Sequence, residues 1–265
     1  MTSLGKTLYI LSFFLLAAVM LMSSCLSEKP KDNEPAEIIV AAAADLYSAF
    51  TEIGKMFENE TGNKVVFSFG STGNLTTQIE GGAPFDIFAA ADVAYIERLK
   101  EMRLLINDSV QLYAQGRIVL AVNRNSGLKI ENLSELLDPR IKHVAIANPV
   151  HAPYGLAAKQ ALQSLGVWEA IQPKLVYGEN VRQTLIYIQR GEAEAGIVAL
   201  SVASVPEISY LLIDDKIHKP LNQALGIISS TRKEKTAREF IGYVNTKGRP
   251  VMKKYGFLLP GEFTK

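Results

Sequence analysis

Four short stretches of this chain carry the residue types of helix starts that can hold an anion: Ala43-Ala44-Asp45-Leu46, Gly70-Ser71-Thr72-Gly73-Asn74-Leu75, Pro153-Tyr154-Gly155-Leu156 and Glu179-Asn180-Val181-Arg182. A helix start presents backbone N–H groups without intrahelical partners, at the positive end of the helix dipole. Small residues let the backbone come close to a ligand, and the hydroxyls of Ser71 and Thr72 add side-chain donors. Each stretch alone also fits a plainer role. A Gly-Ser-Thr-Gly turn needs no ligand, Pro153 suits the first position of a helix, and Tyr154 suits half-buried packing.

Other chemistries find less support. The chain has three histidines, His143, His151 and His218, but no Gly-x-Ser-x-Gly elbow to present a nucleophile. No Gly-Lys-Ser/Thr follows the glycine-rich turn, so it is not a Walker loop. Cys25 is the only cysteine and leaves no thiol for catalysis or for an internal disulfide. His151 reads as a surface or rim residue. Asp45 with Asp86 or Asp92 could offer oxygens to a cation, but no His/Cys/Asp cluster has ligand spacing, and Asp86 and Asp92 read as strand-end and helix-cap residues. The expectation is therefore a protein that is not an enzyme and carries neither metal nor cofactor. Lys and Arg number 28 against 27 Asp and Glu, and a near-neutral body lacks the basic field that nucleic acid requires.

The four stretches need elements to position them. A continuous apolar run at residues 38–42 predicts a strand buried on both faces, 65–69 and 86–90 read as the next two strands, and Leu46, Phe50, Ile53 and Phe57 mark one face of the helix after the first. Asp45 stands where that helix would take its N-cap. Helices are expected again around residues 75–79 and 95–100. After a break near 107–117, strands are expected at 117–122, 144–147, 175–177, 195–198, 211–213 and 224–228. Helical patterns occupy 154–165, 181–189 and 240–244. This alternation predicts an α/β fold with mainly parallel sheets flanked by helices.

The N-terminus reads as a secretory signal. Lys6 precedes an apolar run from Leu8 to Met22, broken only by Ser12, which ends at Ser23-Ser24-Cys25. Small residues before a cysteine resemble a bacterial lipobox, with Met22 where leucine is usual; residues 1–24 would be removed and Cys25 acylated. Residues 25–36, charged and containing Pro30 and Pro35, read as a flexible tether that holds the body off a membrane.

Taken in order, these stretches resemble the periplasmic molybdate-binding proteins (the ModA family) of ABC importers, from Glu37 to Pro260. The resemblance runs through Val40-Ala41-Ala42-Ala43-Ala44-Asp45-Leu46, Phe69-Gly70-Ser71-Thr72-Gly73 and Gly82-Ala83-Pro84-Phe85-Asp86. It continues through Ala147-Asn148-Pro149, Pro153-Tyr154-Gly155, Glu179-Asn180-Val181-Arg182, Gly196-Ile197-Val198 and Tyr255-Gly256-Phe257. It implies a two-lobed periplasmic-binding-protein fold with two hinge crossovers: lobe one at 37–118 plus 225–265, lobe two at 119–224. The implied ligand is molybdate or tungstate, held in the cleft by Asp45 with the Leu46 N–H beside it, Thr72, Tyr154 and Val181, with Ser71 as a neighbouring donor. The implied partner is an ABC permease, served by a monomeric, extracytoplasmic, lipid-anchored receptor.

Two departures from the family pattern matter, one at Ala199, offset by Tyr154, and one at Asp45. Ala199 stands where some relatives have a tyrosine, and Tyr154 stands where others have alanine. Asp45 replaces a hydroxyl residue, and a carboxylate repels a doubly charged oxyanion. One expectation is that its side chain turns away to cap the helix. The alternative, a carboxylate inside the cleft, favours a protonated oxyanion such as phosphate. Sulfate and, further off, a metal ion also stay open as ligands.

Overall fold

The computed structural model describes residues 35–263, so the leader, Cys25 and most of the tether lie outside the described residues. Among the described residues no helix is long and apolar enough to cross a membrane. The first lobe opens with β1 (Glu37–Ala43), a 3-10 turn (Ala44–Leu46) and α1 (Tyr47–Thr61). It continues through β2 (Lys64–Gly70), α2 (Thr72–Glu80), β3 (Ile87–Ala90), α3 (Val93–Glu101) and β4 (Gln111–Gly116). The second lobe holds β5 (Ile118–Asn123), β6 (Val144–Ala147), α4 (Pro153–Ser164), α5 (Trp168–Ile171), β7 (Leu175–Gly178), α6 (Val181–Gln189), β8 (Ala195–Ala199) and β9 (Ile208–Leu212). The chain then returns to the first lobe as β10 (Leu221–Ile227), α7 (Glu234–Val244) and α8 (Arg249–Lys254).

Each lobe is built on one five-stranded sheet, in the orders β2-β1-β3-β10-β4 and β7-β6-β8-β5-β9. In the first sheet β10 runs antiparallel to both its neighbours while the other strands share one direction. In the second sheet β5 plays that part. The reversed strand is in each case the first that the chain forms after crossing from the other lobe.

The apolar run of β1 is buried on both faces, as its continuous pattern requires. Ile38, Val40 and Ala42 pack with Phe50, Ile53 and Phe57 of α1 on one side, whereas Ala41 packs with Leu75, Phe88 and Leu99 on the other. Phe57 and Phe240 meet edge to face at 5.3 Å, which binds α7 to α1. Each such buried phenyl ring stabilises the fold by about 1.5–3 kcal/mol. Gly62 ends α1 in the left-handed conformation at φ 75°, and its N–H bonds the Glu58 carbonyl.

Three expectations are corrected. The break near 107–117 contains β4, whose polar Gln111 and Gln115 disguise it; the Gln115 side chain is buried and donates to Asn222 Oδ1 at 2.8 Å. The crossover boundaries also move. Ile118 pairs with Ala199 in the second sheet, while 221–224, expected in lobe two, pair with β4 in the first. The strand expected at 224–228 starts earlier, at Leu221; the polar Asn222 and Gln223 fall outside the apolar run. Lastly, Asp45 is no helix cap: it sits inside the 3-10 turn, and neither that turn nor α1 has a side-chain cap. Asp92, by contrast, caps α3 through the Ala94 N–H, as expected.

One residue, Arg117, separates β4 from β5. Its guanidinium donates twice to the Gly256 carbonyl, and the backbones of Gln115 and Leu258 bond each other in both directions. The C-terminal segment thereby braces the crossover.

Candidate functional site

Between the lobes lies a small cavity lined by residues 43–45, 70–72 and 91 of lobe one and 152–154, 180 and 181 of lobe two. It is formed where three helices, α2, α4 and α6, and the 3-10 turn before α1 begin. Of the residues expected at the ligand, Asp45, Ser71, Thr72, Tyr154 and Val181 line it. Leu46, of which only the backbone N–H was expected there, is not among the lining residues, and its side chain is fully buried in the core. Alanine at 43, 44, 91 and 152 keeps the walls close to backbone. Among the described residues no lysine, arginine or histidine lines the cavity. An anion there would be met by first-turn N–H groups and hydroxyls instead of by an opposite charge.

The Thr72 hydroxyl accepts from the Ala91 N–H at 3.2 Å, which ties α2 to the end of β3. Asn180 caps α6 by accepting from the N–H groups of Arg182 and Gln183, so that helix start is fixed at the cavity edge. Pro153 at the head of α4 leaves no N–H of its own to satisfy.

Asp45 is the centre of a buried hydrogen-bond network that spans both lobes. Its Oδ2 accepts from Gln223 Nε2 at 2.6 Å and from the Tyr154 hydroxyl at 3.0 Å. Gln223 Nε2 also lies 3.1 Å from the Tyr154 oxygen, and Gln223 Oε1 accepts from the Tyr113 hydroxyl at 2.9 Å. Ser201 donates to the Asp45 carbonyl at 2.8 Å. Asp45 Oδ1 is buried with no hydrogen-bond partner among the described residues. Burial pushes the Asp45 carboxyl up to about 6, against the opposing pull of the Gln223 and Tyr154 hydrogen bonds. Burial also pushes the Tyr154 and Tyr113 hydroxyls well above their ordinary value, so both remain protonated donors at neutral pH.

Gly116 makes room for this network. A Cβ at that position would fall 2.0 Å from the Tyr154 hydroxyl oxygen and 3.0 Å from Gln223 Nε2. Tyr154, expected as a ligand donor, thus directs its hydroxyl proton at Asp45.

A second set of contacts closes the cavity rim. Glu179 Oε1 of lobe two accepts from the Ser71 N–H at 3.3 Å, the Ser71 hydroxyl at 2.9 Å and Asn74 Nδ2 at 2.8 Å, all in lobe one. His151 Nδ1 lies 2.9 Å from Ser71 Oγ, and the His151 carbonyl accepts from the Gly73 N–H at 2.8 Å. Because Ser71 Oγ–H is donated to Glu179, the proton in the His151 contact belongs to Nδ1. Burial raises the Glu179 carboxyl, but the hydrogen bonds from Ser71, Asn74 and Asn180 outweigh it and leave it below its usual range. The Arg182 guanidinium stacks 3.4 Å from the Tyr47 ring centre and adds a third link between lobes.

Gln223, Tyr113, Glu179 and Ser201 are neighbours of the candidate site that sequence reasoning did not single out by role. Gln223 carried one weak signal, the polar pair Asn222-Gln223 directly before the apolar run 224–228. Among the described residues no group of three or more His, Cys, Asp or Glu could hold a metal ion.

Two lobes, each on a five-stranded mixed sheet, joined by short crossovers and enclosing a cavity of helix starts, define a solute-binding protein. Residues 38–258 match the family model described as bacterial extracellular solute-binding protein. The chain is 35% identical over 229 residues to the molybdate-binding protein ModA of Azotobacter vinelandii, covering 84% of this chain and 90% of that one. It is 32% identical over 224 residues to ModA of Rhodobacter capsulatus, covering 84% and 88%. The solved Azotobacter vinelandii periplasmic molybdate-binding protein superposes with a TM-score of 0.78 at 31% identity, over 84% of this chain and 99% of that structure. The chain belongs to the bacterial extracellular solute-binding proteins and, among them, to the molybdate-binding protein family of ABC importers. The family's role is substrate binding for transport and not catalysis.

Proposed function

We propose that this chain captures molybdate or tungstate between its lobes and delivers it to the permease of its ABC importer. The observation that carries the reading is the cavity wall: helix starts and the Thr72 hydroxyl converge there, and among the described residues no basic side chain lines it. Such a wall suits an oxyanion that must be held firmly yet released without breaking an ion pair. The ligand in the two ModA relatives' names supports the choice of anion.

In this reading Asp45, Thr72, Tyr154 and Val181 contact the ligand, the Leu46 N–H lies beside Asp45, and Ser71 guards the rim. The two lobes close about the crossover at Arg117 and the return into β10, and the protein works as a monomer. Cys25 carries the lipid that holds it at a bacterial membrane, with residues 25–36 as tether. Thermal melting with molybdate, tungstate, sulfate and phosphate tests the ligand, because a ligand that binds only the folded state raises the midpoint. Molybdate and tungstate are expected to raise it most. No shift with any of the four overturns the oxyanion reading.

A further inference from the structure

We propose that the cleft binds its oxyanion together with one proton, shared between Asp45 Oδ1 and a ligand oxygen. The inference rests on the oxyanion reading of the cavity and specifies what that site recognises.

Asp45 lines the cavity yet is only 1% exposed. Its Oδ2 is occupied by Gln223 and Tyr154, which orient the carboxyl group, while Oδ1 has no partner among the described residues. An ionised carboxylate only accepts hydrogen bonds, and a fully deprotonated oxyanion also only accepts. Side by side in a buried site they would repel, with two unpaired acceptors facing each other. One proton between them turns this repulsion into a hydrogen bond. A tetrahedral dianion such as molybdate would draw that proton from solvent. A monohydrogen oxyanion such as phosphate would bring its own.

Among the described residues, the groups that bond Asp45 offer no substitute for this proton site. Tyr154 of α4 and Tyr113 of β4 stay protonated through burial, and Gln223 of β10 and Ser201 do not titrate. On α6, Arg182 is stacked on Tyr47. On α1, Glu52 bonds Lys254 and Tyr255, Glu58 accepts from the Val65 N–H, Glu60 bonds Lys247 and Tyr243, and Lys55 is exposed. On β2, Lys64 pairs with Glu37, and on α4, Lys159 lies over Trp168. His151 and Glu179 meet Ser71 at the rim. Asp45 titrates near 6, so its carboxylate is ionised but easily protonated under neutral conditions.

The test is calorimetry of sodium molybdate binding to the whole protein at about pH 8, in buffers of different protonation enthalpy. The expected result is uptake of about one proton per molybdate ion, with affinity falling about tenfold for each pH unit above 6. Asp45→Asn should bind without that uptake, and His151→Gln should retain it. Phosphate should bind with less uptake than molybdate if it binds at all. Molybdate binding to the unaltered protein without proton uptake overturns the proposal, even if the Asp45→Asn variant fails to fold. So does uptake that survives in Asp45→Asn and vanishes in His151→Gln. Absence of binding heat with molybdate, tungstate, sulfate and phosphate overturns the oxyanion reading itself, a result distinct from binding without uptake.

Discussion

The Tyr154 hydroxyl of the second lobe donates to the Asp45 carboxylate of the first at 3.0 Å, in a site from which solvent is excluded. That bond links closure of the lobes to the state of one carboxyl group. Gln223, on the strand that returns the chain to the first lobe, donates to both oxygens of the pair. The crossover, the cavity and the closed arrangement therefore share a single network.

Removing the Tyr154 hydroxyl should weaken this arrangement. Tyr154→Phe takes away one donor from a buried carboxylate, a loss of about 1.5–3 kcal/mol. Oxyanion affinity and stability at neutral pH should both fall. The stability loss should shrink below about pH 5, where the carboxyl is neutral and needs its donors less. Denaturant titrations at two pH values and calorimetry check both effects. Unchanged values would show that the ring only packs.

Asp45 should lower the stability of the ligand-free protein as pH rises. Its folded-state value of about 6 lies above the ordinary 3.8, so the folded protein holds this proton more tightly than the unfolded chain does. Its contribution is most favourable below 3.8, declines between 3.8 and about 6, and is constant above that. The decline is on the order of 3 kcal/mol. Asp45→Asn should be more stable than the parent protein at neutral pH and should lack this decline. The difference between the two unfolding curves across that window isolates the group, because it cancels carboxylates such as Glu52, which hydrogen bonding to Lys254 lowers.

Gly116→Ala should disturb the site without touching the ligand. The new methyl group would overlap the Tyr154 hydroxyl and crowd Gln223. Overpacking of this kind costs about 1–3 kcal/mol. The variant should melt earlier and bind oxyanion more weakly, and a structure should show the Tyr154 ring displaced from Asp45.

Glu179→Gln should loosen the rim. The amide presents a weaker acceptor to the Ser71 N–H, the Ser71 hydroxyl and Asn74. In the absence of ligand the lobes should spend more time apart. Small-angle scattering should report a larger radius of gyration for the variant, with far-ultraviolet dichroism unchanged. Equal radii would show that the cation–ring contact of Arg182 and Tyr47 suffices for closure.

Much of the fold was legible because its cores impose strong local patterns. The stripe of Phe50, Ile53 and Phe57 on α1 and the unbroken apolar run of β1 leave little choice of element. The chemistry of the helix starts was legible too, since small and hydroxyl residues at Ala43, Gly70 and Thr72 have a local backbone reason. The β4 strand and the start of β10 were hidden for the opposite reason. Tyr113, Gln115, Asn222 and Gln223 are buried or half-buried polar groups whose partners lie more than a hundred residues away.

Asp45 divides the two kinds of information most clearly. The sequence by itself determined that a carboxyl group stands at the head of the first helix, beside a candidate anion site. A local rule then assigned it to capping, the ordinary use of aspartate there. Only the tertiary structure decided that it bonds Tyr154 of the second lobe and Gln223 of its own lobe instead. The physical reason is burial. Once both lobes exclude water, a carboxylate must find donors wherever the fold places them, and no local sequence pattern encodes a donor supplied by another lobe.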